Sequence, residues 1–298
     1  MKGDMVYDAA SLKTRGILEQ KQPGYFTLRL RVVGGRMEAE KLRDLAEIMA
    51  RYAYSHVHLT IRQGIEIPNV KFQDVENLCS ELAAAGLSLS PVGPCVRGIT
   101  ACQGETCRHG MIDTQELARR IDERVSGRSG LPHKFKIGVT GCPNACIKPR
   151  ENDLGIMGVV NKAFHEELCS GCGICVQGCS SPGALIIEQG SLIHREEICV
   201  KCGKCITACP SGAWELVQVS YDVFAGGKMG KQPKLGEKWA LCVSDEDQLL
   251  DLVNAMITWY AAHGEQKERF GDTLNRTGIE NMTEYLTRKV GIPKSDTC

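Results

Sequence analysis

Two short cysteine runs in the middle of the chain offer four sulfur ligands in two pairs. The first pair is Cys102 and Cys107, and the second is Cys142 and Cys146, in the sequence Gly-Cys-Pro-Asn-Ala-Cys. Glycine and proline beside the second pair predict a loop, on which sulfur atoms can approach one centre. Four such sulfurs suit an iron–sulfur cluster or a zinc ion. The wide separation of the pairs argues against a compact zinc ribbon, and four inert buried cysteines are the remaining alternative.

Eight further cysteines form two runs that have the spacing of bacterial ferredoxins. In that spacing two residues separate the first three cysteines, three residues precede the fourth, and the fourth binds the cluster of the other run. We therefore predict two [4Fe–4S] clusters. Their ligand sets are Cys169, Cys172, Cys175 and Cys209 for one, and Cys199, Cys202, Cys205 and Cys179 for the other. Zinc knuckles are the alternative, but zinc sites rarely repeat three ligands at this spacing.

The composition excludes several classes of protein. The chain has 298 residues, enough for two or three domains, and its 36 basic residues are balanced by 36 acidic ones. This balance predicts no nucleic-acid footprint. No apolar run approaches the ~18–20 residues of a membrane span, and the N-terminus has no signal-peptide core, so we expect a cytoplasmic protein. In that compartment 16 cysteines indicate metal binding rather than disulfides.

The first part of the chain has the pattern of a ferredoxin-like α+β domain over residues 24–90, preceded by a loose polar arm over residues 1–23. Alternating apolar residues predict strands, and apolar residues at helical spacing predict helices. The predicted elements, in the order β-α-β-β-α-β, cover residues 25–33, 38–54, 56–61, 64–67, 70–85 and 87–90. This order is that of the split βαβ fold.

The rest of the chain has the pattern of a second α+β domain, formed by residues 91–162 and 215–298, with the ferredoxin module inserted at residues 163–214. The same patterns predict helices at residues 111–125, 245–262 and 273–290. They predict strands at residues 134–139, 155–160, 214–224 and 239–243. The second domain would therefore surround the two cysteine pairs.

The run Gly-Cys-Pro-Asn-Ala-Cys resembles the cluster-binding run of the sirohaem sulfite and nitrite reductases. Four other stretches are similar to that family: Leu28–Gly35, Leu59–Gln63, Val96–Gly98 and Leu131–Lys136. The resemblance covers nearly the whole chain outside the arm. It is strongest to the catalytic subunits of anaerobic sulfite reductases, which also carry an inserted two-cluster ferredoxin. The first cysteine pair has four intervening residues here, where the family usually has five.

The resemblance implies a core [4Fe–4S] cluster, held by the two cysteine pairs, that shares one cysteine with the iron of sirohaem. Cys146 is our candidate for the shared ligand, and Arg62 would contact a sirohaem carboxylate. Four cations would surround the anionic substrate: Arg29, Arg97, Lys134 and Lys136. Arginine offers a fixed fork to oxyanions, and a buried lysine can release a proton. The alternative for each cation is an ordinary solvated surface charge.

These observations predict six-electron reduction of sulfite to sulfide, with three [4Fe–4S] clusters feeding sirohaem. Reduction of nitrite to ammonia at the same site is one alternative, and a haem-free electron-transfer protein is another. No glycine-rich dinucleotide fingerprint is present, so we expect the donor to be a separate ferredoxin or a flavin/iron–sulfur reductase. The large relatives contain two copies of this unit and share one site between them. A single copy therefore predicts a homodimer or higher oligomer.

Overall fold

The computed structural model describes residues 7–291, without the side chains of residues 240–242. In chain order the helices of these residues, α1 to α9, are Ala9–Thr14, Ala39–Arg51, Val75–Ala84, Thr114–Val125, Ile174–Gln177, Lys204–Ala208, Glu246–His263, Phe270–Thr277 and Ile279–Val290. The strands β1 to β11 are Ile17–Glu19, Tyr25–Leu30, His58–Leu59, Ile65–Lys71, Thr100–Ala101, Ile137–Thr140, Leu154–Phe164, Leu185–Glu188, Ser191–His194, Trp214–Ala225 and Glu237–Val243. None of the described helices is long and apolar enough to cross a membrane.

The N-terminal unit is an antiparallel sheet in the order β1-β2-β4-β3, with one face covered by α2 and α3. Side chains alternate across a strand, so Phe26, Leu28 and Leu30 of β2 all enter the core. Arg29, between them, points to the opposite face. The predicted ferredoxin-like fold is confirmed, and its sheet presents Arg29 on the face away from the helices.

The edge of this sheet differs from the prediction in two respects. The arm is not loose beyond residue 7, because β1 pairs with β2 and Ile17 is fully buried; residues 1–6 lie outside the described part of the chain. The predicted strand at residues 87–90 forms only a bridge between Leu89 and Leu30. Two short segments therefore share the edge of β2 that one strand was expected to cover, and a three-residue strand is too short to show in a sequence pattern.

The second sheet has the order β11-β10-β7-β6-β5, and α4, α7, α8 and α9 pack on it in the largest core of the described chain. Strands β5, β6 and β7 are parallel, whereas β10 pairs antiparallel with β7 and β11. Because β5 and β6 run in the same direction, the residues that precede them lie at one end of the sheet. The residues that follow them lie at the opposite end.

Several predicted boundaries moved, and three of them bear on the candidate site and its supporting helices. The helix expected from residue 111 begins at Thr114, because the Asp113 side chain caps it by accepting the Gln115 and Glu116 N–H groups. The helix expected over residues 273–290 is interrupted at Gly278, which has φ +82°. The strand expected from residue 134 begins at Ile137, so Lys134 and Lys136 lie in the segment that leads into β6.

The segment at residues 163–214 connects two paired strands. Strands β7 and β10 pair from Leu154 opposite Ala225 to Phe164 opposite Trp214, so the chain leaves the sheet only over residues 165–213. It contains the β8–β9 hairpin, α5 and α6. The two short helices begin after Gly173 and Gly203, which have φ values of +72° and +70°. Each of the two short helices contains the third cysteine of one run, Cys175 or Cys205.

Candidate functional site

Five cations that were selected from the sequence line one cavity of about 430 Å³ between the two sheets. They are Arg29, Arg62, Arg97, Lys134 and Lys136. Strand β2 and the turn after β3 form one wall, and the segments that lead into β5 and β6 form the other. We call this space the cation cavity.

The cations in this cavity are only partly neutralised by acidic groups. Burial, reinforced by neighbouring cations, lowers the pKa of Lys136 to about 8, and burial likewise lowers the pKa of Lys134. Within the described chain neither lysine ammonium has a salt bridge to a carboxylate. Glu66 is paired with Arg29 at 2.6 Å. The crowding of like charges costs free energy that a bound anion would recover.

Arg97 gives a second sign that a ligand belongs in the cation cavity. The Arg97 Nε is buried and has no hydrogen-bond partner among the described atoms. The one hydrogen bond that the described guanidinium donates is long, 3.4 Å from Nη2 to the Gly93 oxygen. Burial lowers the pKa of Arg97, and the nearby Arg29 adds to the effect. Because buried donors are nearly always paired, an oxyanion is the group that this guanidinium is suited to bind.

Arg62 has a structural role that the sequence did not suggest. Its guanidinium donates to Asn152 Oδ1 at 2.7 Å, to the Gly98 oxygen at 3.0 Å and to the Ile137 oxygen at 3.3 Å. Burial lowers its pKa to about 10. The next residue, Gln63, exchanges two hydrogen bonds with the backbone of Ala101, at 2.7 and 2.9 Å. The Arg62–Gln63 turn thus fastens the first sheet to the starts of β5 and β6.

A buried ion pair behind the cavity fixes the lysine segment, and sequence reasoning missed it. Asp153 is fully buried, and it accepts two hydrogen bonds from Arg269 Nη2, at 2.8 and 2.7 Å. The same carboxylate accepts the backbone N–H of Lys136 at 2.9 Å. Burial raises the pKa of Asp153, and the interaction with Arg269 opposes that rise. Only the position of an aspartate directly before an apolar strand could have drawn attention to it.

The four cysteines of the two pairs line a second cavity, of about 860 Å³, at the other ends of β5 and β6. We call it the cysteine cavity. Cys102 Sγ accepts the Gly141 N–H at 3.1 Å, and Gln115 holds the Cys102 oxygen at 2.7 Å and the Gly34 oxygen at 3.0 Å. Cys142 is buried and Cys146 is exposed. The cavity therefore has both anchored and accessible sulfur ligands.

The ligand loops of the cysteine cavity have demanding backbone conformations. A 3₁₀ turn, Gly104–Thr106, occupies the short spacing within the first pair. Gly104 has φ +60°, and a Cβ there would lie 2.6 Å from the Thr114 nitrogen, so only glycine fits. In the second loop Ala145 and Lys148 have φ values of +51° and +48°. Such conformations persist where the surrounding structure or a bound group maintains them.

The cysteine cavity offers the donor set of an iron–sulfur cluster. Four cysteine sulfurs line this cavity, and a [4Fe–4S] cluster takes four cysteine thiolates. The donor set around the cysteine cavity therefore fits a [4Fe–4S] cluster.

The cation cavity and the cysteine cavity have no lining residue in common. Lys136 immediately precedes β6, and Cys142 lies two residues after its end. Strand β6, whose four residues span about 13 Å, lies between the two positions. Within one chain the cations are thus displaced along the strands from the cysteines.

The structure brings four of the ferredoxin-type cysteines to one pocket. One pocket is lined by Cys169, Cys172, Cys175 and Cys209, so the fourth cysteine of the second run does lie beside the first run. Cys202 approaches Ser180, the neighbour of Cys179, at 3.7 Å. Cys202 also lines a cavity of about 340 Å³ together with Cys142. The second run is therefore the one that lies against the cysteine cavity.

Two family models match the chain. The "Nitrite and sulphite reductase 4Fe-4S domain" matches residues 92–294, and the "Nitrite/Sulfite reductase ferredoxin-like half domain" matches residues 18–85. The second match begins inside the segment that was expected to be a loose arm. Together the two cover both sheets and all the candidate residues.

Individual relatives agree with the family models. The coenzyme F420-dependent sulfite reductase of Methanocaldococcus jannaschii is 33% identical over 283 residues, 92% of this chain but 45% of that protein. This chain thus spans less than half the length of that relative. A component of the anaerobic sulfite reductase of Salmonella typhimurium is 32% identical over 76% of this chain and 72% of its own length. The crystal structure of dissimilatory sulfite reductase I has the same fold, with a TM-score of 0.72 and 19% identity over 88% of this chain and 69% of that one.

Proposed function

Because the chain belongs to the family of the nitrite and sulphite reductase 4Fe-4S domain, we propose that it catalyses the six-electron reduction of sulfite to sulfide. The observation that carries this proposal is the cation cavity, where five cations crowd together and two lysines lack a carboxylate partner in the described chain. Sulfite is a small dianion, and this excess of fixed positive charge is suited to it. The overall change, SO₃²⁻ + 6 H⁺ + 6 e⁻ → S²⁻ + 3 H₂O, consumes protons as well as electrons.

The cofactors that the family implies are compatible with the residues present. The proposed ligands of the core [4Fe–4S] cluster are the four cysteines of the cysteine cavity, with Cys146 shared with the haem iron. Sirohaem, when bound, supplies an iron that holds the anion and passes electrons to it. Its carboxylates need cations, and Arg62 is the proposed contact, through the guanidinium N–H groups that Asn152 and the two backbone oxygens do not use. The two ferredoxin-type ligand sets would hold two more [4Fe–4S] clusters.

The residues of this chain would do three things for sulfite. Arg29 and Arg97 would bind its oxygens with charge-assisted hydrogen bonds. Lys136, with its pKa lowered to about 8 by burial, would be protonated at neutral pH yet able to release the proton as an S–O bond breaks. Lys134 would add positive charge beside it. Asp153 would keep the Lys136 backbone in place.

The electron donor and the assembly belong to the same proposal. We infer a separate ferredoxin or flavin/iron–sulfur protein as the donor, and a homodimer or higher oligomer in which one chain's cation cavity meets the other chain's cysteine cavity. The separation of the two cavities along β6 supports this arrangement. A cytoplasmic location is part of the proposal, because exposed cluster ligands such as Cys146 and Cys172 need a reducing compartment.

The visible spectrum of the anaerobically purified chain, followed by turnover, tests the proposal. We expect the strong bands of sirohaem above the broad cluster absorbance, and formation of sulfide from sulfite with a reduced dye as donor. Nitrite is the second substrate to test, because the family includes enzymes for both anions. Cluster absorbance without haem bands, after expression with a sirohaem supply, would instead favour a haem-free electron-transfer protein.

A further inference from the structure

Lys162, on β7, points its ammonium group at a cysteine of the second ferredoxin-type run. Its Nζ lies 3.2 Å from Cys199 Sγ, 3.3 Å from His194 Nε2 and 5.3 Å from the centre of the Trp214 ring. A lysine ammonium can only donate hydrogen bonds, so His194 Nε2 must accept and carry no proton. His194 and Trp214 thus hold the charge beside the sulfur.

The Lys162 ammonium lacks a carboxylate partner in the described chain and is partly shielded from water. No carboxylate of residues 7–291 forms a salt bridge with Lys162, and its side chain is half-buried against the small core that contains Cys205 and Trp214. An ion pair in such a place is screened less by salt and water than a pair at the surface. The positive field of Lys162 therefore acts strongly on the sulfur of Cys199.

In the described chain no cation occupies an equivalent place beside the other proposed ligand set, which consists of three cysteines of the first run and Cys209. Among the described contacts of Cys169, Cys172, Cys175 and Cys209, no lysine or arginine donates a hydrogen bond to a sulfur. Cys209 instead contacts the neutral hydroxyl of Ser211 at 3.5 Å. Two cysteine runs with the same spacing are therefore placed in different electrostatic surroundings.

The run that has the cation is also the run nearest to the cysteine cavity. Cys202 and Gly203 line a cavity together with Cys142, and the Lys201 oxygen accepts the Val160 N–H at 3.0 Å. A Cβ on Gly203 would lie 3.2 Å from Val160, which shows how closely this loop packs on β7. An electron that leaves the first run would meet the second run before the core cysteines.

We propose that Lys162 raises the reduction potential of the cluster held by Cys199, Cys202, Cys205 and Cys179 above that of the cluster held by the first run, and so directs electrons toward the cysteine cavity. The inference rests on the proposed binding of clusters by these cysteines. One-electron reduction adds one negative charge to the cluster and its thiolates, and the ammonium stabilises that charge. In the transfer the first-run cluster loses one electron and the second-run cluster gains it, with no bond made or broken.

The test is a redox titration of the anaerobic holoprotein with dithionite, monitored by electron paramagnetic resonance. A Cys205→Ala variant identifies the signal of the second-run cluster by its loss. We expect Lys162→Met to lower the potential of that cluster so that its reduced-to-oxidised ratio at a fixed potential falls about tenfold, which is 59 mV for one electron. Lys162→Arg should retain most of the potential. Lys238→Met is the matched control, because Lys238 lies on β11 of the same sheet, paired with Asp222.

Three outcomes would overturn the inference. The potential of the second-run cluster could be unchanged in Lys162→Met, or the potential of the first-run cluster could fall equally. The third outcome is loss of iron from both Lys162→Met and Lys162→Gln but not from Lys162→Arg, since the charge would then serve cluster binding. Absence of both ferredoxin-type signals in the unmodified protein would instead contradict the proposed function, and sulfite turnover plays no part in the measurement.

Discussion

The two ends of β5 and β6 carry different cavities: one is lined by cations and the other by cysteines. At the starts of the strands, the cation cavity is formed by side chains that hydrogen bonds and a buried ion pair hold in place. At the other ends, the cysteine cavity is formed by loops with left-handed residues and one exposed ligand, Cys146. At the cation end the side chains already lie around one cavity, and their like charges repel one another before any ligand binds. The other end has its ligands on loops, and a cluster would join them.

This difference predicts where substitutions will act. A change in the cysteine cavity should remove the cofactor and with it all activity. A change in the cation cavity should leave the cofactors bound and weaken only the handling of the anion. The largest expected effect therefore belongs to the cysteines.

Replacing Cys146 with Ala should abolish sulfite reduction and remove about four irons per chain, because the core cluster loses the ligand that it would share with sirohaem. Iron analysis and the visible spectrum measure the loss. Cys79→Ala is the matched control, since Cys79 is a half-buried cysteine of the N-terminal unit, away from both cavities. Full iron content and normal haem bands in Cys146→Ala would remove Cys146 from the ligand set.

Replacing Lys136 with Ala should lower kcat/KM for sulfite about 100-fold or more, because the variant loses both a positive charge and a proton donor. Iron content and haem bands should not change. Lys136→Arg restores the charge but not the readily released proton, so it should recover binding of the anion more than kcat. Lys71→Ala, at an exposed position at the end of β4, is the control for a lysine outside the cavity. A kcat/KM in Lys136→Ala equal to that of the control would exclude Lys136 from the mechanism.

The contrast between the two ends also explains how far the sequence alone could lead. Cysteine spacing is set by the cluster itself, so the ligand sets that we propose follow from the spacing of the cysteines. The cations were selected by resemblance, and the structure places all five in one cavity. Asp153 and Arg269 lie 116 residues apart, and Lys162 and Cys199 lie 37 apart. No local pattern links such pairs, because only the packing of the sheet and the later helices brings them together.

Arg62 shows the same limit for a residue that was selected. The resemblance implied that its side chain would contact a cofactor carboxylate. The structure shows that its guanidinium already holds Asn152 and two backbone oxygens. Whether a cation is committed to the protein or available to a ligand depends on tertiary contacts, which the residue type does not reveal.

The pH dependence of kcat/KM should report on the cation cavity and not on the cysteine cavity. Since burial lowers the pKa of Lys136 to about 8, kcat/KM should fall about tenfold per pH unit above that value as the ammonium is lost. Nitrite is the better probe, because its charge is constant in this range whereas bisulfite loses a proton. Lys136→Arg should remove the fall. The stability of the fold should change in the opposite direction. Between about pH 8 and pH 10.4, the usual lysine pKa, the unfolded chain binds more protons than the folded chain, so the free energy of unfolding rises with pH. A flat kcat/KM profile with nitrite up to pH 10 would contradict the assignment.

The smallest expected effect is the most informative about assembly. If the cation cavity of one chain faces the cysteine cavity of its partner, a two-fold axis relates them and each dimer has two equivalent sites. Lys136→Ala and Cys146→Ala chains, each inactive alone, should then regain activity when they are co-expressed with different tags and the mixed dimer is isolated. One of its two sites combines the intact cavities, so the mixed dimer should have about half the activity of the unmodified dimer, and an unsorted mixture about a quarter. A mixture of two differently tagged Lys136→Ala chains controls for the handling. If each chain instead completes its own site, every mixture stays inactive, and one chain must use both ends of its own β6, which spans about 13 Å.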